Sequence, residues 1–309
     1  MNGSLLNRQA KKETGVLMKD MKVSRGMRVF RAFNLAFLLV VVFLTVYPFL
    51  NIVAQSFSSE GFINSGQVNI VPRGFNVETY KLILADSTFW NNYGNTVLYT
   101  VVATAISMVL TTTFAYAIAK KDLKGRGFFI GIAVFTMFFN GGLIPNYVLI
   151  SSLGMRDSIW AVVLPNAISV FNLLIMKSFF ENMPRELEEA AAIDGLTQYG
   201  VLFRVVLPLS KAIVATMVLF YAVANWNSWF TAFLYLDRPD MFPVTIYLRN
   251  MIAGASNTAS AGSTVENVGQ IAANIQSVTI VLTVIPILCV YPFVQKYFFS
   301  GIMLGSVKE

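Results

Sequence analysis

Six long apolar runs constrain the fold of this 309-residue chain more than any other feature. Each run is about as long as the roughly 20-residue helix that crosses a lipid bilayer. Because lipid offers the backbone no hydrogen-bond partner, such a run must satisfy its own N–H and C=O groups, as a helix does. In chain order the runs span residues 30–57, 92–119, 127–147, 158–179, 211–236 and 277–299.

Composition supports a membrane protein whose spans are all helical. Hydrophobic residues make up 56% of the chain and charged residues 13%, and the mean hydropathy is +0.63. A soluble domain of this composition would have too little polar surface to cover itself. No run shows the ten-residue alternation that is typical of an outer-membrane barrel. The sequence therefore predicts an all-α, polytopic inner-membrane protein with six transmembrane helices.

The distribution of Lys and Arg predicts the direction of the spans. Eighteen of these residues lie in alternate segments that share one side, and five lie in the segments between them. Since the basic side faces the cytoplasm, both termini and the segment 177–211 are expected to be cytoplasmic. The basic N-terminal arm accounts for most of the formal net charge of +7. We interpret this charge as topology and lipid contact, not as nucleic-acid binding.

A polar hairpin, residues 181–208, separates the fourth and fifth apolar runs. Pro184 near its start and acidic residues after it favour a first helix. Gly195 is expected to end that helix in the left-handed conformation, and Thr197 to cap a second short helix that runs to Pro208. One face of the first helix is expected to be flat enough for close approach of a partner. This face consists of Leu187, Ala190, Ala191 and Asp194.

The hairpin closely resembles the EAA coupling motif of ABC importer permeases. The motif consists of Glu-Ala-Ala, three residues, Gly, nine residues and an aliphatic-x-Leu-Pro group. Glu189-Ala190-Ala191, Gly195 and Val205-Val206-Leu207-Pro208 match it, with Val205 where isoleucine is commoner. From residue 92 onward the chain resembles the maltose-type carbohydrate-uptake permeases. For the Glu-Ala-Ala-Gly pattern alone, an ordinary interfacial amphipathic helix is the alternative interpretation.

The resemblance implies the transmembrane permease subunit of an ATP-driven, binding-protein-dependent importer, for a sugar or oligosaccharide, and not an enzyme. The implied partners are a second homologous permease subunit, two ATPase subunits, an extracytoplasmic solute-binding protein and membrane lipid. ATP with Mg would be used by the ATPase, and this chain would bind no cofactor. The resemblance implies an ATPase-coupling role for Glu189, Ala190, Ala191, Asp194, Gly195, Leu207 and Pro208.

These features predict four regions along the chain. A basic cytoplasmic arm, 1–31, is followed by the first transmembrane helix and an outer loop, 32–91. The permease core, 92–299, contains transmembrane helices two to six and the hairpin, and 300–309 is a cytoplasmic tail. Within the last outer loop, a surface helix at 241–251 and then a flexible stretch of small residues at 254–263 are expected.

Helix breakers and small residues predict where the spans are irregular or closely packed. Pro48, Pro165, Pro286 and Pro292 predict kinks. Two glycines and a proline within 139–145 should unwind the outer end of the third span. In the second span, small residues spaced by four predict a close-packing seam, formed by Ala103, Ser107, Thr111, Ala115 and Ala119.

Polar residues in the fifth run are candidates for a solute path. Tyr221, Asn225, Ser228 and Trp229 share one face of a continuous helix, whereas Asn227 points nearly opposite to Asn225. An aromatic surface beside amide and hydroxyl groups suits a sugar ring. Interhelical hydrogen bonds explain the same residues, so both interpretations stay open.

Missing residue types narrow the function classes. The chain has no histidine and no P-loop motif, so a His-based triad, His-ligated zinc and a P-loop phosphate site are excluded, and no metal site is predicted. The serious alternative is an ion-coupled secondary transporter or channel subunit. Such a protein is expected to carry intramembrane charges, and none of the six runs has an acidic residue in its core. The sequence does not identify the solute.

Overall fold

The computed structural model describes residues 25–260, 274–290 and 292, and in these ranges every regular element is a helix. The all-α fold class is therefore confirmed. A π-helical turn, Leu202–Val206, joins α10 to α11, and a 3₁₀ turn, Pro239–Met241, precedes α14. The α-helices are α1 (Arg25–Ser56), α2 (Glu60–Asn64), α3 (Glu78–Ala85), α4 (Ser87–Ala119), α5 (Arg126–Phe138), α6 (Leu143–Ser152), α7 (Ile159–Val163), α8 (Val170–Glu181), α9 (Arg185–Ile193), α10 (Gln198–Val201), α11 (Leu207–Leu209), α12 (Lys211–Trp226), α13 (Phe230–Tyr235), α14 (Val244–Ser260) and α15 (Asn274–Val290).

Some of the predicted regions extend beyond the described residues. Most of the N-terminal arm, residues 1–24, lies outside them, as does the C-terminal tail, 300–309. Of the sixth predicted span, 277–299, α15 covers residues 277–290, and residues 291 and 293–299 are outside the described ranges. The predicted domain boundaries at 31 and 299 therefore remain predictions.

Two of the described helices, α1 and α4, are long and apolar enough to cross a membrane unbroken. Two bent helix pairs also pass this test, so the described residues contain up to four spans by length and composition. One bent pair is α5 with α6, which meet at 114°. The prediction of six spans is therefore not settled by helix length alone.

The bend in the third predicted span confirms the unwinding expected at 139–145. Phe139 leaves the helical conformation, and Gly142 has a φ of 94°, which a residue with a side chain rarely adopts. The side-chain oxygen of Asn140 accepts a hydrogen bond of 2.9 Å from the N–H of Gly142. The helix then restarts at Leu143, so two glycines and one asparagine produce the turn.

The fourth and fifth predicted spans are interrupted, so the prediction of continuous helices at 158–179 and 211–236 is wrong. A connector at residues 164–169 separates α7 from α8 and contains Pro165, which has no N–H to donate to a continuing helix. α12 stops at Trp226, where the side chain of Asn227 donates a hydrogen bond of 2.9 Å to the carbonyl of Val223. Such local side-chain bonds compete with helix continuation.

Helix α4 is the centre of the bundle, and α8 and α12 both pack along it. The small-residue seam predicted on this helix is confirmed, since all five of its members are buried. Within the seam, the Thr111 hydroxyl lies 2.6 Å from the Tyr221 hydroxyl on α12. Small side chains let the neighbouring helices approach, and the hydroxyl pair fixes their register.

Helix α14 holds the end of α4 that lies away from the hairpin. The predicted surface helix begins at Val244, directly after Pro243, but Val244 is fully buried, so one face of the helix belongs to the core. The N–H of Val244 donates to the Thr96 hydroxyl at 2.7 Å, and the Tyr99 hydroxyl donates to the Met241 carbonyl at 2.7 Å. Because α14 continues to Ser260, the flexible stretch expected from residue 254 is helical up to that point.

Candidate functional site: the coupling hairpin and a cavity beside α12

The first arm of the hairpin is the short helix α9, which ends as Gly195 predicts. Gly195 has a φ of 80°, and its N–H donates to the Ala192 carbonyl at 3.0 Å. The N–H of Leu196 donates to the Ala191 carbonyl at 3.1 Å. These two bonds form the Schellman arrangement, which satisfies carbonyls that a helix end leaves unpaired. The turn between the two arms is therefore hydrogen-bonded and specific.

The second arm runs from Thr197 to the start of α12. The Thr197 hydroxyl accepts a hydrogen bond of 3.3 Å from the N–H of Gly200, which confirms the predicted cap. After α10 the backbone widens into the π-helical turn, a form that is often found at functional sites. Around Ser210 the arm then turns by 88° into α12. The hairpin is thus covalently continuous with the helix that bears the candidate solute residues.

The two sides of α9 differ in their environment. Ala191 is 6% exposed and belongs to a hydrophobic cluster with Val201 and Leu202 of the second arm. The prediction that Ala191 lies on a flat partner face is therefore wrong, because this alanine closes the hairpin on itself. On the opposite side, Glu189 is exposed and forms no hydrogen bond or ion pair with any described residue. Ile193, on the same side, is 86% exposed.

The other residues predicted to couple to an ATPase lie around this exposed side. Ala190, Asp194 and Gly195 are exposed, as is Pro208 at the start of α11. Leu207 is half-buried and packs against the main hydrophobic cluster. Two large side chains that the sequence analysis missed extend the surface, since Tyr199 is 73% exposed and Phe203 is 58% exposed. Tyr199 lies on α10, whereas Phe203 lies in the π-helical turn, whose period differs from 3.6 residues.

A network of ion pairs lies where α5 and α8 reach the hairpin. The Arg126 guanidinium contacts the Glu181 carboxylate at 2.7 Å and donates to the Ile118 carbonyl at 2.8 Å. Lys177 contacts the same carboxylate at 2.5 Å. The hydrogen bond from Lys177 lowers the pKa of the Glu181 carboxyl against the opposing effect of burial, and the charges of Lys177, Arg126 and Lys121 lower it further. Glu181 therefore stays ionised and joins three helix ends.

A cavity of about 430 Å³ lies between the 164–169 connector, α8 and α12. Its size is in the range of small-molecule sites. Asn172 is 6% exposed, and its side-chain amide has no hydrogen-bond partner among the described residues. Because Asn172 lines the cavity, its amide can pair with a molecule there. The cavity is lined by Asn166, Ile168, Ser169, Asn172, Phe220, Tyr221, Ala224, Asn225 and Ser228.

Three of the four predicted solute-path residues line this cavity, namely Tyr221, Asn225 and Ser228. The Tyr221 hydroxyl is already bonded, because it accepts from the N–H of Ser169 at 3.0 Å and pairs with Thr111. For this residue the interhelical interpretation is correct. The Asn225 amide makes only a long contact of 3.4 Å with the Thr104 hydroxyl. It retains a donor or acceptor for a molecule in the cavity.

Trp229 does not line the cavity, which corrects the prediction of a shared face. The prediction assumed a continuous helix, but α12 ends at Trp226, three residues earlier. The Trp229 ring instead packs 5.5 Å from the ring of Phe230, and the Arg249 guanidinium lies 5.2 Å from its centroid.

Half of the cavity's polar lining was not predicted from the sequence. Asn166, Ser169 and Asn172 recur every third residue in an otherwise apolar run. This recurrence beside Pro165 is the signal that was available. No group of three His, Cys, Asp or Glu side chains in ranges 25–260 and 274–290 is placed to hold a metal ion.

The hairpin and the bundle have counterparts in known proteins. The chain belongs to the family described as the binding-protein-dependent transport system inner membrane component, which matches residues 126–304. It is therefore a membrane transport permease subunit and not an enzyme, and the predicted resemblance to ABC importer permeases is confirmed. The ion-coupled alternative is not favoured by these relatives.

Two relatives from Bacillus subtilis (strain 168) match nearly the whole chain. Protein LplC is 43% identical over 281 residues, which cover 91% of this chain and 95% of LplC. The polygalacturonan/rhamnogalacturonan transport system permease protein YtcP is 40% identical and covers 91% of this chain and 99% of its own. A chain from the crystal structure of a bacterial ABC transporter involved in the import of the acidic polysaccharide alginate has a TM-score of 0.80 and 32% identity. That match covers 89% of this chain and 98% of the other.

The left-handed backbone at Gly195 generates a testable prediction about the hairpin turn. Gly195→Val should destabilise the turn by roughly 1–2 kcal/mol, because a β-branched side chain resists this conformation. No atom lies within 4 Å of the added Cβ, so the cost is one of backbone conformation and not of a clash. Hydrogen exchange of the Gly195 and Leu196 amides in lipid nanodiscs should become correspondingly faster. The matched control is Gly195→Asn, since asparagine tolerates this region better. Equal exchange in both variants would contradict the account.

Proposed function

We propose that this chain forms half of the translocation pathway of an ATP-driven, binding-protein-dependent importer of oligosaccharides. Its proposed partners are a second homologous permease subunit, two ATPase subunits and an extracytoplasmic solute-binding protein. YtcP is a polygalacturonan/rhamnogalacturonan transport system permease protein and the alginate transporter imports a polysaccharide, so both support a saccharide solute. ATP with Mg is used by the ATPase subunits, and this chain binds no cofactor.

The hairpin is the proposed docking element for an ATPase subunit, and its ordered, exposed face carries this proposal. Glu189 presents a carboxylate that no described residue pairs with, and Ile193 and Tyr199 expose apolar surface on the hairpin. Ile193 is 86% exposed, so a partner that docks on this side of α9 would bury a large apolar side chain. The residues proposed to contact or support this interface are Glu189, Ala190, Ala191, Asp194, Gly195, Leu207 and Pro208.

The proposed orientation places the hairpin and both termini in the cytoplasm, where ATP is available. The support is the excess of Lys and Arg in the segments on the hairpin side. In this orientation the loop that contains α14 faces outward, where a solute-binding protein would approach. The regions proposed earlier, with boundaries near residues 31, 91 and 299, follow the same topology.

The cavity beside α12 is the proposed wall of the solute path. Asn172 and Asn225 offer amides, and Ser228 offers a hydroxyl, while Phe220 contributes an apolar surface. A sugar has a rim of hydroxyls around a partly apolar ring, so this lining is complementary to one sugar unit. The second permease subunit would supply the opposite wall.

Uptake by the reconstituted complex tests the proposed function. Proteoliposomes that contain this chain, its permease partner and the ATPase should accumulate labelled oligosaccharide only with Mg-ATP on the hairpin side and the binding protein on the other side. The ATP requirement follows from a chain without a phosphate-binding loop of its own, and the binding-protein requirement follows from the proposed class of importer. Uptake that is driven by an ion gradient without ATP would contradict the proposal and favour the secondary-transporter alternative.

The same assay tests the solute path. Asn172→Ala and Asn225→Ala should each reduce uptake at limiting solute by about fivefold, since a lost hydrogen bond contributes about 1 kcal/mol. Asn64→Ala is the matched control, because this exposed amide on α2 does not line the cavity. If all three variants transport like the parent, the cavity is not part of the path.

A further inference from the structure

An ion pair joins the inner side of the hairpin to the end of α4. Docking of an ATPase on the outer side of the hairpin would not require this ion pair. The Lys120 ammonium, one residue beyond α4, forms an ion pair with the Glu188 carboxylate on α9. Both side chains are about three-quarters buried, since their exposures are 25% and 24%. Glu188 and Glu189 are adjacent in sequence, yet Glu188 is bound to Lys120 whereas Glu189 has no partner among the residues that the structure describes. The two carboxylates therefore have different roles.

The surroundings of Lys120 make this ion pair part of a larger contact. The Lys120 ammonium lies 4.3 Å from the centroid of the Tyr116 ring, one helical turn earlier on α4. The Tyr116 hydroxyl donates to the side-chain oxygen of Gln198, on the second arm, at 3.4 Å. Both arms of the hairpin thus contact the same turn of α4. We call these four residues, Tyr116, Lys120, Glu188 and Gln198, the clasp.

Charge and burial explain why Lys120 needs its partner. Burial lowers the pKa of the Lys120 ammonium more than the Asp122 carboxylate raises it, and the nearby Arg185 charge lowers it further. An ammonium that has lost water is stabilised by a carboxylate and by an aromatic face. Glu188 and Tyr116 supply both. Removal of either charge leaves the other partly buried without its partner.

A continuous set of contacts leads from the clasp along α4 to the cavity. Further along α4, Thr111 pairs with Tyr221, and Thr104 accepts from Asn225. Both partners line the cavity wall. A displacement of the hairpin that carries α4 with it would therefore reach the cavity through these two contacts. The other route is the bend at Ser210, which joins the hairpin directly to α12.

We propose that Lys120 is a positioning residue for coupling, which binds Glu188 so that the hairpin and α4 move as one unit. This proposal rests on the proposed function, in which the hairpin receives the motion of an ATPase. In this proposal the motion of the hairpin reaches the cavity through the clasp, and the bend at Ser210 alone does not transmit it. Neither Lys120 nor Glu188 needs to touch the ATPase or the solute. A contact between two helices transmits coupling between distant sites only if the two helices move together.

The test measures motion at the cavity and needs no solute. Ala224, which lines the cavity, is replaced by cysteine in a Cys289→Ala background, and its reaction rate with a maleimide is measured in the assembled complex. The rate is compared without nucleotide and after trapping with Mg-ATP and vanadate. In the parent complex the two rates should differ. Lys120→Met and Glu188→Gln should reduce that difference by at least about fivefold, the lower range of measured allosteric couplings.

Two further variants separate positioning from folding. The double variant Lys120→Glu with Glu188→Lys restores an ion pair with reversed polarity, and it should recover most of the parental difference. Lys124→Met is the matched control, since Lys124 is an exposed lysine in the same loop without a described partner, and it should behave like the parent. ATPase activity is measured in parallel, because loss of assembly would abolish it, whereas loss of positioning leaves hydrolysis in place.

The outcomes distinguish this proposal from the proposed function. If the parent shows no nucleotide-dependent difference at residue 224 while its ATPase is active, the proposed coupling function itself is contradicted. If the parent responds and the single variants respond equally with normal ATPase activity, the clasp is overturned and the bend at Ser210 carries the motion. If the single variants lose assembly and the charge-reversed double variant does not recover the response, the clasp is a folding contact and the positioning role is overturned.

Discussion

The close approach of α8 and α12 to α4 is the contact on which the rest of the structure depends. It is possible because the facing side of α4 carries alanines, serines and threonines in place of large residues, with Ala115 and Thr111 fully buried. Lipid provides little hydrophobic driving force for helix association, so packing and interhelical hydrogen bonds must hold the bundle. The Thr111–Tyr221 pair and the Thr104–Asn225 contact meet that requirement. They also form one wall of the cavity, so stability and the proposed path share residues.

The inner and outer sides of the hairpin differ in their contacts. Its inner side joins the main hydrophobic cluster through Ala191 and Val201, and it is held to α4 through Glu188. Its outer side leaves Glu189 and Ile193 in solvent. The inner side of the hairpin is packed and its outer side is exposed. Such a hairpin can transmit a displacement from a partner and stay folded. The Schellman turn at Gly195 supplies that rigidity with backbone bonds alone.

Features that depend on local backbone chemistry could be predicted from the sequence. The left-handed end at Gly195, the Thr197 cap and the unwound turn before Leu143 each follow from one or two residues. The buried seam on α4 followed from spacing by four. Features that depend on tertiary contacts could not be predicted. Ala191 is buried because the second arm folds back on it, and the four-residue spacing contains no information about that arm.

The lining of the cavity could also be predicted only in part. Its predicted half relied on a continuous fifth helix, and the break after Trp226 removed Trp229 from the site. Its other half comes from the connector after Pro165 and from Asn172, which lie about 50 residues earlier in the chain. Helical periodicity describes residues on one helix, whereas a cavity between helices depends on where each helix stops. Pro165 and Asn227 are the residues that determine those stops.

Chemical protection of the exposed hairpin face tests the central claim most directly. Ile193→Cys in a Cys289→Ala background should react rapidly with a water-soluble maleimide when the chain is purified alone. In the complex with its ATPase subunits the same cysteine should be protected. Phe75→Cys, an exposed control position between α2 and α3, should react equally in both samples. A cysteine at 193 that reacts equally with and without the ATPase subunits would contradict the assignment of the hairpin as the coupling surface.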